Sequence, residues 1–143
     1  MKKLLAIIIL SMLSGCAVMD AYFMAKFDQN EYQLISDIRS LSQISSEFCS
    51  NQQQMIPVVD RIYLKNIEFK NYAEFIPENK PTIKLAESLL DITKPLHERY
   101  HKTEKISEAY CKQKMDVLSN AATVIAQTIG SKPRWVHKIF WIV

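Results

Sequence analysis

The sequence predicts an all-α protein, an antiparallel helical hairpin or small helical bundle clamped by one disulfide. Three observations predict it. Glycine occurs only twice in 143 residues, at Gly15 and Gly130, and a β protein of this size needs many tight turns, for which glycine is the usual source. Apolar residues recur at every seventh position from Phe27 through Leu34, Leu41, Phe48, Met55 and Ile62 to Phe69, the period of a long helix with a supercoiling seam. Cys49 and Cys111 lie symmetrically about a turn signal, Ile76-Pro77-Glu78-Asn79-Lys80-Pro81-Thr82. One domain is all that such a chain can fill.

The elements follow in order. Met1-Lys2-Lys3 is a basic start, and Leu4 to Leu10 with Met12 and Leu13 is an apolar run, too short for the roughly 20 residues that span a bilayer. It ends at Leu13-Ser14-Gly15-Cys16, which resembles the lipobox of bacterial lipoproteins. The resemblance implies acylation of Cys16, cleavage after Gly15 and anchorage in the cell envelope. With Ala17 next, it implies the outer membrane facing the periplasm if the host is Gram-negative. Residues 1–15 are then a signal peptide and 16–27 a lipid-anchored tether. Without Lys2 and Lys3, 16 basic residues face 15 acidic ones, and a nearly neutral chain has no electrostatic footprint for nucleic acid.

Residues 28–130 form the helical region, with its turn at 77–81. Asp28 with Glu31 fits a capping box at the first helix, or the helix begins near Asp20. Thr82 is the expected N-cap of the second half, whose apolar stripe includes Leu89, Leu96, Tyr100, Leu118, Ile125 and Ile129. Gly130 is expected as a left-handed C-cap, with Pro133 beyond it as a breaker. Pro57 and Pro95 fall inside helical patterns and are expected to kink or break them. The result is either two long helices reaching about 75 Å or four, at about 20–55, 58–76, 82–94 and 96–129. In the four-helix case the inner pair can fold back onto the outer pair. Asn51-Gln52-Gln53-Gln54 is expected on solvated helix surface.

In an antiparallel hairpin the positions of facing residues share one midpoint. That of Cys49 and Cys111 is residue 80, inside the proline turn. An exported chain lies in an oxidising compartment, and with Cys16 lipidated only this pairing remains. In the same register the tail, residues 131–143, returns to the start of the chain. Its Arg134, Trp135, Lys138, Phe140 and Trp141 have the composition of a membrane-interface anchor.

His97-Glu98-Arg99-Tyr100-His101 matches the H-E-x-x-H motif of zinc metalloproteases. The charged Arg99 and Lys102 stand where that family's buried helix is apolar. Glu104 and Ser107 occupy the places of the metzincin Gly and His. The reading is therefore no catalytic residue, no metal site and no cofactor beyond lipid, with His97, His101 and Glu104 open to adventitious metal. The expected function is a non-enzymatic, lipid-anchored envelope protein presenting its helices to membrane lipid and to an envelope partner or a second copy, with no small-molecule substrate. One alternative is an exclusion or spanin-like lysis lipoprotein of phage or plasmid origin; a second, less favoured, is a zinc metalloprotease using His97-Glu98-x-x-His101. The chain partly resembles unimolecular spanins but has a tail too short to span.

Overall fold

The computed structural model describes residues 25–102 and 104–134. Among these residues four helices run in chain order: α1 (Gln29–Ser45), α2 (Gln52–Phe75), α3 (Lys80–Tyr100) and α4 (Glu108–Gly130), with a short 3₁₀ turn (Ser46–Phe48) after α1. No strand occurs among the described residues. Each helix packs on its neighbours in the chain, and α4 closes on α1. This is an up-down-up-down four-helix bundle. The Cys49–Cys111 disulfide is formed, with Cα atoms 5.5 Å apart.

The chain divides into four helices, but not at the prolines. Pro57 lies inside α2 and Pro95 inside α3. Each removes the hydrogen bond to the carbonyl four residues back. Those residues, Gln53 and Asp91, are exposed, as are both prolines, so water can serve the orphaned carbonyls. The actual breaks fall at 46–51 and 101–107, where no glycine or proline stands. Ser45 and Ser46 donate their hydroxyls back to the carbonyls of Leu41 and Gln43, a local alternative to helix continuation. Asn51 then caps α2, its side chain accepting from the N–H groups of Gln53 and Gln54. Ser107 caps α4 by accepting from Tyr110 N–H. The Asn-Gln run does lie at the surface, with Asn51, Gln53 and Gln54 exposed, but Asn51 and Gln52 also have structural roles. Gln52 donates to the Glu104 carbonyl (3.1 Å) and accepts from Ile106 N–H (3.0 Å), tying down the α3–α4 loop.

Folding back shortens the molecule. Among the described residues the longest helix, α2, has 24 residues, so the bundle is about 36 Å long rather than 75 Å. Buried positions alternate by four and three along every helix: Glu31, Ile35, Ile38, Ser42 and Ser45 in α1; Met55, Val59, Ile62, Asn66, Phe69 and Ala73 in α2. α3 continues with Thr82, Ala86, Leu89, Thr93, Leu96 and Tyr100, and α4 with Cys111, Met115, Leu118, Ala122, Ile125 and Ile129. This is the spacing of left-handed bundle packing. The series from Phe27 to Phe69 is therefore not one seam. In α1 its members Leu34 and Leu41 flank the core, Phe48 is 43% exposed in the connection, and only Met55, Ile62 and Phe69 are central.

The helix ends refine the expected caps. Asp28 does cap α1, accepting from Glu31 N–H at 2.9 Å. Glu31 does not reciprocate, because its carboxylate turns inward to Asn79 and Lys132. Asn79, not Thr82, occupies the N-cap position of α3, and Thr82 is fully buried one turn in. Gly130 is the last residue of α4 and has no positive φ. A Cβ there would sit in ordinary van der Waals contact with the Tyr32 ring, at 3.5 Å, so neither backbone conformation nor space demands glycine. Glu78 takes the left-handed conformation (φ 57°) in the α2–α3 turn.

Candidate functional site

The antiparallel packing of α2 against α3 sets Asp60 and Tyr63 opposite the end of α3. His97 lies in the last turn of α3, and His101, four residues on, is its C-cap residue, which leaves the two on one side of the helix end. Both direct Nε2 at the same atom, Asp60 Oδ1, at 3.2 Å from His97 and 2.7 Å from His101. One potential ligand atom from each of the three residues lies within 4.8 Å of the others. Tyr63 stacks on His97 with ring centroids 4.4 Å apart, which holds that imidazole in place, and the two imidazole centroids are 4.6 Å apart. His101 is 47% exposed at its side chain, so the cluster opens to solvent. Beside it Tyr100 is buried at 2% exposure. Burial, with the Tyr110 phenol adding to it, pushes the Tyr100 hydroxyl above its ordinary range.

The other half of the H-E-x-x-H pattern points elsewhere. Glu98 and Glu104 line a separate depression with Arg99, Lys102 and Tyr110, where the Arg99 guanidinium lies 4.3 Å from the Tyr110 ring centroid. The carboxylate that joins the histidines is thus Asp60 of α2, not Glu104. Asp60 escaped the sequence reading, yet a signal for it existed. The register that pairs Cys49 with Cys111 places residues 59–63 opposite 97–101.

The cysteine pair comes together as expected. Lipidation of Cys16 falls outside the described residues, as do Trp135, Lys138, Phe140 and Trp141 of the tail. Arg134 is described: its guanidinium lies 4.8 Å from the Phe27 ring centroid, and Phe27 N–H donates to the Pro133 carbonyl at 2.9 Å. Among the described residues, no helix is long and apolar enough to cross a membrane.

A second polar cluster closes the opposite end of the bundle. Glu31, Asn79 and Lys132 are 0%, 1% and 7% exposed. Lys132 Nζ donates to Glu31 Oε2 and to Asn79 Oδ1, each at 2.6 Å. Asn79 Nδ2 donates to Glu31 Oε1 and to the Ala73 carbonyl. Every strong polar atom of this triad's side chains is thereby engaged, and its role is structural. The chain matches no protein-family model, no curated protein and no solved structure.

Proposed function

We propose that this chain is a non-enzymatic, lipid-anchored envelope protein that holds a disulfide-stapled four-helix bundle against the membrane surface and presents it to an envelope partner or a second copy. The observation that carries the reading is the lipobox-like Leu13-Ser14-Gly15-Cys16, which reserves one of three cysteines for lipid while the other two form a disulfide. That cysteine usage belongs to an exported protein. The bundle's polarity supports it. Residue 27 and residue 133 meet at one end, so the tether and the aromatic-basic tail leave from the same place. Phe75, 85% exposed, projects at this end, where Tyr72 hydroxyl meets Asp28. An apolar side chain there suits a lipid surface.

The test is metabolic labelling with palmitate in a bacterial host. The wild-type chain should take up label and shorten, and Cys16→Ser should give an unlabelled, uncleaved precursor. Label retained in Cys16→Ser would overturn the reading.

A further inference from the structure

We infer that Asp60, His97 and His101 form a binding site for a divalent transition-metal ion of the zinc, nickel or copper class, bridging α2 and α3 at the disulfide end of the bundle. The inference goes beyond the proposed envelope role and does not depend on it.

Three features carry it. The donor set is two imidazole nitrogens and one carboxylate oxygen, which suits borderline divalent ions rather than magnesium or calcium. The donors converge: both rings aim the same nitrogen at one oxygen, at 3.2 and 2.7 Å. Finally, Asp60 and His97 come from two helices already fixed by core packing, His101 is held at the α3 C-cap by its backbone N–H to the His97 carbonyl, and Tyr63 holds the His97 ring, so little backbone ordering remains to oppose binding.

The geometry is close to what an ion needs. A tetrahedral zinc ion with bonds of ~2.0–2.1 Å holds its ligand atoms ~3.4 Å apart. His97 Nε2 and Asp60 Oδ1 are already 3.2 Å apart. His101 Nε2, at 2.7 Å, must retreat by roughly 0.7 Å to admit that ion. Its side chain, 47% exposed, has room to do so. The ion takes the place of the contact between imidazole and carboxylate, and water completes its shell on the open side. Glu98 lines a different depression, so the site lacks the general base of the protease motif. Its effect is to clip α2 to α3 and to take metal from the surrounding medium.

Zinc titration by calorimetry tests this, on the full chain carrying Cys16→Ser so that no free thiol competes. One zinc ion per chain should bind, and Asp60→Asn or His101→Ala should weaken it by roughly tenfold or more. His137→Ala, altering the third histidine of the sequence, should leave that site intact. Circular dichroism should show both site variants as helical as the parent, since His101 and Asp60 sit at the surface. Copper-loaded protein should give a paramagnetic-resonance signal from two imidazole nitrogens, reduced to one in His101→Ala. Absence of zinc uptake, or uptake unchanged in both Asp60→Asn and His101→Ala, would overturn the assignment.

Discussion

At one end of the bundle, where the chain enters α1 and leaves α4, three segments are joined by a buried ion pair and an amide. At the other end a connection and the first turn of a helix are joined by a covalent bond. Glu31, Asn79 and Lys132 come from the start of α1, the α2–α3 turn and the segment after α4, and all are at most 7% exposed. Cys49 and Cys111 come from the α1–α2 connection and the first turn of α4. The difference teaches how each device works. A disulfide acts mainly on the unfolded chain, by restricting its freedom. A buried ion pair contributes little net stability, because desolvation offsets attraction, but it is costly to half-remove. It therefore selects the one arrangement in which all three segments meet.

The largest expected effect is at the disulfide end. Replacing both cysteines by alanine releases a loop with a sequence separation of 62. The chain-entropy estimate for that loop is roughly 4 kcal/mol. Urea unfolding should show the loss as a lower midpoint. A midpoint within experimental scatter of the parent would mean that the helices alone fix this end.

Next comes the ion pair. Lys132→Met leaves the Glu31 carboxylate buried with only Asn79 to hold it, and should cost roughly 3 kcal/mol. Adding Glu31→Leu should recover part of that loss, since the uncompensated buried carboxylate is removed, while Asn79 Oδ1 still lacks the donor that Lys132 supplied. If the double variant is instead less stable than Lys132→Met by the full cost of a second core change, the triad stabilises the fold outright.

These two ends were not equally legible. The disulfide end could be read because cysteine pairing and a shared midpoint are long-range signals written in residue type. The helical content and the turn near residue 80 were readable for the same reason. The triad was not readable: Glu31, Asn79 and Lys132 sit in a sequence reading as a cap, a turn residue and a tail, and nothing local marks them as buried. The same holds for Asn66 and Thr93, polar residues in core positions of α2 and α3. In α1 the buried Glu31, Ser42 and Ser45 likewise interrupt the apolar stripe, so a seam read through hydrophobicity alone drifted to the flanking Leu34 and Leu41. The breaks at 46–51 and 101–107 were missed because serine side chains end α1 and Asn51 and Ser107 start α2 and α4, while the more conspicuous prolines are harmless on the solvent face. Asp60 was missed because its partners are near only after α2 folds against α3.

The smallest expected effect separates the ends by pH. Tyr100, 2% exposed at the disulfide end, has its hydroxyl pushed up from the ordinary value of 10.0, by burial first and by Tyr110 second. Its contribution is fully present below the unfolded value, where both states keep the proton. As pH rises past about 10, the unfolded chain ionises first and is stabilised by doing so, so stability falls until the folded phenol ionises too. Lys70 acts with the same sign from the surface of α2 towards the other end. Its hydrogen bond to Glu74 raises it, burial opposes this, and the charges of Glu74 and Glu87 add to the rise. Lys70 is solvent-screened, so its share should be slight. Urea midpoints should be measured from about pH 8 to about pH 11 on chains carrying Cys16→Ser, which removes the thiol that would exchange with the disulfide. Tyr100→Phe should flatten the alkaline decline without altering its shape below about pH 9, and Lys70→Gln should flatten it less. An alkaline slope unchanged in Tyr100→Phe but reduced in Lys70→Gln would place the sensitivity away from the buried phenol, reversing the assignment of alkaline response to the disulfide end.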